Sequence, residues 1–219
     1  GFAIDPDADR VALVGEDGHP LGEDLTLALA LQVVTERRKG PVVTTLSTSQ
    51  VVTDAATGND CPVILTPVGE VHVVDAMVAE GAIIGGEGNG GVILPDVDPG
   101  RDAAVGIALV LEALARTGRP LTEMASDLPS YAIEKRKVAC SAHDLQYALN
   151  GLVEQFPDAL RHPVQDGVKL YLTGSLQCPW IHLRPSNTEP VVRIIAESQH
   201  REEAIQLCDV AEKLLRESS

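Results

Sequence analysis

The sequence predicts an α/β protein in two parts: a layered domain with a mixed or mostly parallel sheet, then an α+β domain on an antiparallel sheet. Three observations predict this. Between Pro41 and Ile84, short β-branched runs alternate with helical segments in β-α-β-α-β order, as when helical crossovers join the strands of one sheet. From Val138 onward, strands follow one another through turns, with one helix near each end. The 44% hydrophobic content of the 219 residues is ample for such cores and argues against disorder. The boundaries read as 1–20 for a leading piece, 21–125 for the layered domain and 126–219 for the C-terminal domain.

Taken in order, Phe2 to Ile4 reads as a core strand already under way at the first residues, so a preceding part is expected to be missing from this chain. A polar loop, Asp5 to Arg10, leads into a strand from Val11 to Val14, and Glu16-Asp17-Gly18-His19-Pro20 is a turn. Asp24 to Lys39 is a helix whose apolar face carries Leu25, Ala28, Leu29, Leu31 and Val34, stopped at Gly40. Pro41 to Leu46 is a strand. Ser47-Thr48-Ser49 caps a short helix that Gly58-Asn59 ends. Pro62 to Leu65, Pro67 to Glu80 and Ala82 to Ile84 read as strand, helix and strand. A glycine run from Gly85 to Gly91 separates this last strand from Val92 to Leu94.

Asp98-Pro99 supplies a cap and an N1 proline for a helix reaching Gly118. Weak periodicity between Pro120 and Ile133 marks the domain boundary. Glu134-Lys135-Arg136-Lys137 is the densest basic stretch; it reads as a solvated face, or as a guide for anions if it lines a cleft. Val138 to Cys140 is a strand, and Ser141 to Asp144 is a capping box for a helix reaching Phe156. Gly167 to Leu172, Trp180 to Leu183 and Val191 to Ala196 are strands. Arg201 to Glu217 closes the chain as an amphipathic helix with Ala204, Leu207, Cys208, Ala211, Leu214 and Leu215 on one face.

The formal net charge of −15 argues against nucleic acid and anionic membrane surfaces as partners, so an anionic ligand needs dedicated local donors. No apolar run approaches the length of a membrane span and none resembles a signal peptide. Cys61, Cys140, Cys178 and Cys208 are scattered without metal-ligand spacing, as expected of reduced core thiols in a cytoplasmic protein. The six histidines likewise form no ligand pair.

Three loops carry chemistry. Asp5, Asp7 and Asp9 alternate along a segment read as extended, which turns the three carboxylates to one side. They repel one another unless a cation lies between them, and Mg²⁺ suits an all-oxygen site that keeps positions open for substrate. Arg10 stands beside it, placed to touch an anion. An EF-hand loop is discounted, because Arg10 holds the position that needs glycine and the flanks read as strands; a nucleophilic DxD loop, unsupported downstream, and a solvated acidic turn stay open as alternatives. In the glycine run, Glu87 and Asn89 are the only side chains, and both accept hydrogen bonds from sugar hydroxyls. In Arg184-Pro185-Ser186-Asn187-Thr188-Glu189-Pro190, a tight loop between two strands holds a guanidinium, two hydroxyls and an amide between prolines, a donor set for a tetrahedral oxyanion. A plain hairpin turn is the alternative there.

In this order the three loops closely resemble those of the α-D-phosphohexomutases, the phosphoglucomutase, phosphomannomutase and phosphoglucosamine mutase family, over essentially the whole chain. Asp5 to Arg10 is similar to the family's metal loop, Gly86 to Gly90 to its sugar loop and Arg184 to Pro190 to its phosphate loop. Asp166-Gly167-Val168-Lys169 is similar to the run before the last domain's strands. The resemblance implies a cytoplasmic, Mg²⁺-dependent four-domain enzyme that interconverts hexose 1- and 6-phosphates through a phosphoserine and a bisphosphorylated intermediate. This chain would hold the end of domain 2, then domains 3 and 4. Asp5, Asp7 and Asp9 would bind the metal and Arg10 would sit by the phosphoserine phosphate. Glu87 and Asn89 would hold sugar hydroxyls, and Arg184, Ser186, Asn187 and Thr188 the distal phosphate. The phosphoserine motif is absent, so the partner it needs is the N-terminal part of the same protein, and the chain alone is expected to be inactive. Asn89 and Gly91 stand where serine and histidine are common, a variant similar to archaeal-type phosphoglucosamine mutases. Two other classes are a non-catalytic phosphosugar-binding module and a structural protein with a divalent-cation site.

Overall fold

The computed structural model describes residues 1–139, 142–164, 166–186, 189 and 191–217, with the side chains of 142–144 outside that description. It divides into two compact units, Gly1–Ser130 and Tyr131–Ser219.

The first unit opens with an antiparallel ribbon, β1 (Phe2–Ile4) against β2 (Val11–Leu13). β2 is buried, but Ile4 in β1 is 53% exposed. The expected core strand is thus an exposed ribbon edge in this unit, because β1 pairs on one side only. The main sheet has strand order β4-β3-β5-β6. Its strands are β3 (Val42–Thr45), β4 (Val63–Thr66), β5 (Ile84–Glu87) and β6 (Gly91–Ile93). β3 runs parallel to β4 and β5, and β6 returns antiparallel to β5. Helices cover both faces, so β3 is buried at every position, as a strand between two layers requires.

α1 (Glu23–Arg37) packs on β5, β6 and β2, while α3 (Glu70–Glu80) packs on β3, β4 and β5. Successive strand residues face opposite layers. At Gly85 a Cβ would lie 2.4 Å from Met77 Sδ of α3; at Gly86 it would lie 3.1 Å from Leu27 of α1 and 2.2 Å from the Gly91 carbonyl. The glycines therefore let helices of both layers close onto β5. α2 (Gln50–Thr57) carries the expected cap: Ser49 Oγ accepts the Val51 N–H.

α4 (Ala103–Thr117) begins later than the Asp98-Pro99 signal implies. Asp102 is its cap, accepting the N–H groups of Ala104 and Val105 on Oδ1, and its own N–H donates to Val92 on β6. Asp98, with its N1 proline, carries the stronger local signal; the tie of Asp102 to β6 overrides it. α5 (Leu121–Ser126) fills the stretch read as aperiodic.

The second unit is a five-stranded antiparallel sheet in the order β7-β11-β10-β9-β8. The strands are β7 (Ala132–Ala139), β8 (Leu160–Arg161), β9 (Val168–Tyr171), β10 (Trp180–Pro185) and β11 (Val191–Ser198). β7 begins six residues before the predicted Val138, because cross-strand pairing with β11 along its full length overrides the poor strand propensity of Glu134 to Lys137. α6 (Ala142–Gln155) and α7 (Arg201–Glu217) bury their apolar sides in one core with Leu170, Ile181, Leu183 and Ile194. The predicted capping box of α6 lies outside the described residues.

The basic run is split by strand alternation. Arg136 is held by Glu134 and by Asp209 and Glu212 of α7, whereas Lys137 pairs with Glu189. Residues of β9 and β10 that alternate with the helix-facing core form a second buried set. Trp180 and Tyr171 pack with Ile195, and Lys169 lies over the Trp180 ring at 3.6 Å. Trp180 Nε1 donates to Glu197 at 2.7 Å.

Candidate functional site

In the first unit the aspartate loop is a turn, not the extended segment expected. Ala8 has φ 57°, and Asp5 Oδ1 accepts the main-chain N–H groups of Asp9 and Arg10 at 3.3 and 3.2 Å. The carboxylates converge because the chain folds back, and an oxygen from each of Asp5, Asp7 and Asp9 lies within 4.8 Å of the others. Arg10 Nε donates to Asp5 Oδ2 at 2.8 Å. Desolvation alone would raise the Asp5 pKa, but the Arg10 backbone and side-chain hydrogen bonds outweigh it and bring the pKa below the ordinary value.

The fit to a cation can be judged from this geometry. Octahedral Mg²⁺ with bonds of about 2.1 Å sets neighbouring oxygens about 3.0 Å apart, so a trio within 4.8 Å closes by up to about 1.8 Å to hold it. Asp9 Oδ1 is buried and accepts no hydrogen bond among the described residues, with Arg10 Nε 3.5 Å away, so it keeps acceptor capacity for a ligand. Asp7 is exposed and open to a further ligand. The donor set fits a hard, oxygen-seeking ion.

The glycine run forms the β5–β6 hairpin, with Glu87 opposite Gly91. It is packed, not loose: Gly90 has φ 87°, and a Cβ there would lie 2.5 Å from the Val11 carbonyl. Val11 N–H donates to the Gly90 carbonyl, tying the hairpin to the strand after the aspartate loop. Glu87, expected as a sugar contact, is 5% exposed. Its carboxylate accepts from Gly69 N, Asn89 Nδ2 and Arg101 Nη1 at 3.2, 3.4 and 2.6 Å. Asn89 Oδ1 in turn accepts the Gly91 N–H.

Arg101, which the sequence reading missed, joins the two loops. Its Nη1 meets Glu87 at 2.6 Å and its Nη2 meets Asp9 Oδ2 at 2.5 Å, with Glu70 Oε2 at 3.5 Å. Ninety-two positions separate Asp9 from Arg101, and a lone arginine before a helix has no local signature; its place directly before the α4 cap is the only clue.

In the second unit Arg184 ends β10 and is 5% exposed. Its Nε donates to both oxygens of Asp166, at 3.1 and 3.2 Å, which leaves the η-nitrogens for other acceptors. Gly167 makes that approach possible: with φ 75°, a Cβ there would lie 2.1 Å from the Leu183 carbonyl. The Asp166 carbonyl also takes the His182 ring Nε2 at 2.6 Å. Burial pushes the His182 pKa down to about 4, so the ring is neutral at pH 7 and Nε2–H is the donor. Ser186 N–H donates to the Val191 carbonyl and closes the loop between β10 and β11. Asn187 and Thr188 lie outside the described residues.

Residues 22–131 match the domain described as phosphoglucomutase/phosphomannomutase, alpha/beta/alpha domain III, and residues 134–214 match the C-terminal domain of the same set. The chain belongs to the phosphoglucomutase/phosphomannomutase family. Among similar phosphohexomutases, a phosphoglucomutase/phosphomannomutase of Thermococcus kodakarensis is 34% identical, aligned over 100% of this chain and 47% of its own length. A probable phosphoglucosamine mutase of Methanopyrus kandleri is 36% identical over 95% of this chain and 46% of its own length. The chain thus spans about half the length of the curated relatives it matches. The fold recurs in a family protein of Burkholderia thailandensis, with TM-score 0.81 and 22% identity over 100% of this chain and 46% of that one. It recurs also in Aspergillus fumigatus N-acetylphosphoglucosamine mutase, solved with GlcNAc-6P and magnesium, with TM-score 0.70 and 18% identity over 99% of this chain and 48% of that one. The two-domain fold expected of a phosphohexomutase is therefore the fold observed.

Proposed function

We propose that this chain carries the metal, sugar and distal-phosphate loops of a phosphohexomutase that interconverts hexose 1- and 6-phosphates, in a protein whose remaining domains supply the phosphoserine. The observation that carries this reading is the adjacency of the aspartate trio and the Glu87–Asn89 hairpin, held together by one guanidinium at 2.5 and 2.6 Å.

Asp5, Asp7 and Asp9 would hold Mg²⁺, which when bound neutralises charge on a transferring phosphoryl group. Arg10, with its guanidinium fixed at Nε by Asp5, has η-donors for the same phosphate. Glu87 accepts three hydrogen bonds within the protein and has acceptor capacity for one more, which suits a sugar hydroxyl. Asn89 fixes the hairpin beside it. Arg184, oriented by Asp166, is suited to the phosphate at the far end of the sugar, with Ser186, Asn187 and Thr188 as further donors. Phosphoryl transfer is mainly positioning and charge neutralisation, and these residues supply both. Glucosamine, mannose and glucose phosphates are the candidate substrates. Among the described residues no helix is long and apolar enough to cross a membrane, and buried free thiols at Cys61 and Cys208 accord with a cytoplasmic setting.

Calorimetry tests the reading. The chain should bind glucose 1,6-bisphosphate in Mg²⁺, and both Glu87→Gln and Arg184→Lys should weaken that binding at least about tenfold, the loss of a charge-assisted hydrogen bond. Binding of Mg²⁺ without any bisphosphate heat would instead favour a structural cation site.

A further inference from the structure

We propose that Arg101 is a positioning residue that links cation binding at the aspartate loop to the charge on Glu87; the inference rests on the metal-and-sugar reading above. Three carboxylates share one guanidinium. Asp9 and Glu87 take its two η-nitrogens at 2.5 and 2.6 Å, and Glu70 lies 3.5 Å away while also accepting the Arg101 main-chain N–H at 2.7 Å. The side chain is 19% exposed and its Nε is buried without a hydrogen bond, so water screens this group poorly.

A cation on Asp9 satisfies one of the three competitors, and the guanidinium then commits to Glu87 and Glu70. Conversely, neutralising Glu87 leaves Asp9 with a larger share of Arg101, which opposes the cation. Lysine cannot substitute, because a point ammonium does not span two carboxylates in the planar fork that Arg101 presents. The loop is also held by hydrogen bonds that do not involve the Arg101 side chain. The Asp5 carboxylate holds the Asp9 and Arg10 N–H groups, Ala103 N–H donates to Ala8, and Val11 N–H donates to Gly90. Removing the guanidinium should therefore change the charge on a formed loop instead of dissolving it.

The test is a double-mutant cycle in Mg²⁺ affinity, measured by calorimetry on the 219-residue chain without sugar, for wild type, Arg101→Gln, Glu87→Gln and the double variant. Arg101→Gln should tighten Mg²⁺ about tenfold by removing a competing cation. Glu87→Gln should weaken Mg²⁺ in the wild-type background and do so at least about fivefold less in the Arg101→Gln background. If Arg101→Gln does not fold, Arg101→Lys carries the cycle: it should keep the wild-type Mg²⁺ affinity within about threefold, since the charge stays, yet lose the dependence on Glu87. Additive effects in the cycle overturn the linkage, as does weaker Mg²⁺ binding in Arg101→Gln. Asp7→Asn separates the two claims. If it abolishes Mg²⁺ binding while the cycle is additive, only the linkage fails; if no binding depends on Asp7, the metal reading fails and takes the linkage with it.

Discussion

Arg184→Ala should destabilise the second unit as well as weaken its phosphate loop, and the size of that loss follows from the ion pair. The Arg184 and Asp166 side chains are 6% and 11% exposed, with Nε at 3.1 Å from Oδ2. Breaking a buried pair by removing one partner costs about 3–5 kcal/mol, mostly from the charge left behind. Asp166 keeps contacts beyond this pair, so the loss should fall near the lower end, about 3 kcal/mol. Asp166→Asn in the Arg184→Ala background removes the stranded charge and should restore about 1–2 kcal/mol of it. Trp180 is the only tryptophan of the chain and is fully buried on β10, so its fluorescence reports on this unit alone. In urea, with a slope of about 1–3 kcal/mol/M, the midpoint should fall by about 1–3 M. A midpoint within about 0.3 M of wild type, or an Asp166→Asn effect equal in both backgrounds, would refute the claim that this pair carries energy in a low-dielectric setting.

Other consequences follow from single residues. His182 has its pKa lowered to about 4 by burial, against about 6.5 when unfolded, so the unfolded state takes up the proton first as pH falls. Its contribution is complete above about pH 6.5 and is lost towards pH 4, up to about 3 kcal/mol; His182→Gln should flatten that part of the midpoint-against-pH curve followed by Trp180 fluorescence, and an unchanged slope would count against it. Gly90→Ala puts a Cβ 2.5 Å from the Val11 carbonyl at φ 87° and should cost the first unit about 1–3 kcal/mol in a thermal melt. Cys208 has its thiol pushed up to about 12 by burial and Cys61 is buried, whereas Cys178 is half-buried. Brief alkylation of the native chain followed by peptide mass mapping should therefore mark Cys178 ahead of both.

The elements legible from sequence are those whose local signals agree with their packing. α7 shows the 3.6-residue apolar period its core contact needs, and β3 is a pure β-branched run buried on both faces. The misplaced edges are those that long-range pairing sets. The start of α4 depends on the bond from Asp102 to β6, and β7 is a strand across Glu134 to Lys137 because β11 pairs with it. The three carboxylates converge through a left-handed Ala8 and the Asp5 side chain, not through the strand alternation that their spacing suggests. The glycine run reads as a loop leaving a strand, whereas Gly85 and Gly86 lie in the strand, placed there by Met77 and Leu27 above and below it. Arg101 had no sequence signal because its partners, Asp9, Glu70 and Glu87, meet only in the folded unit.

The proposed function assigns a cation to the aspartate loop, a sugar hydroxyl to the Glu87 hairpin and a phosphate to the Arg184 loop. Crystals of the chain grown with Mn²⁺ and glucose 1,6-bisphosphate test it most directly. The account predicts an anomalous peak among Asp5, Asp7 and Asp9, a sugar hydroxyl on Glu87 and a phosphate at Arg184. Mn²⁺ bound elsewhere, or a bisphosphate that touches neither Glu87 nor Arg184, would contradict it.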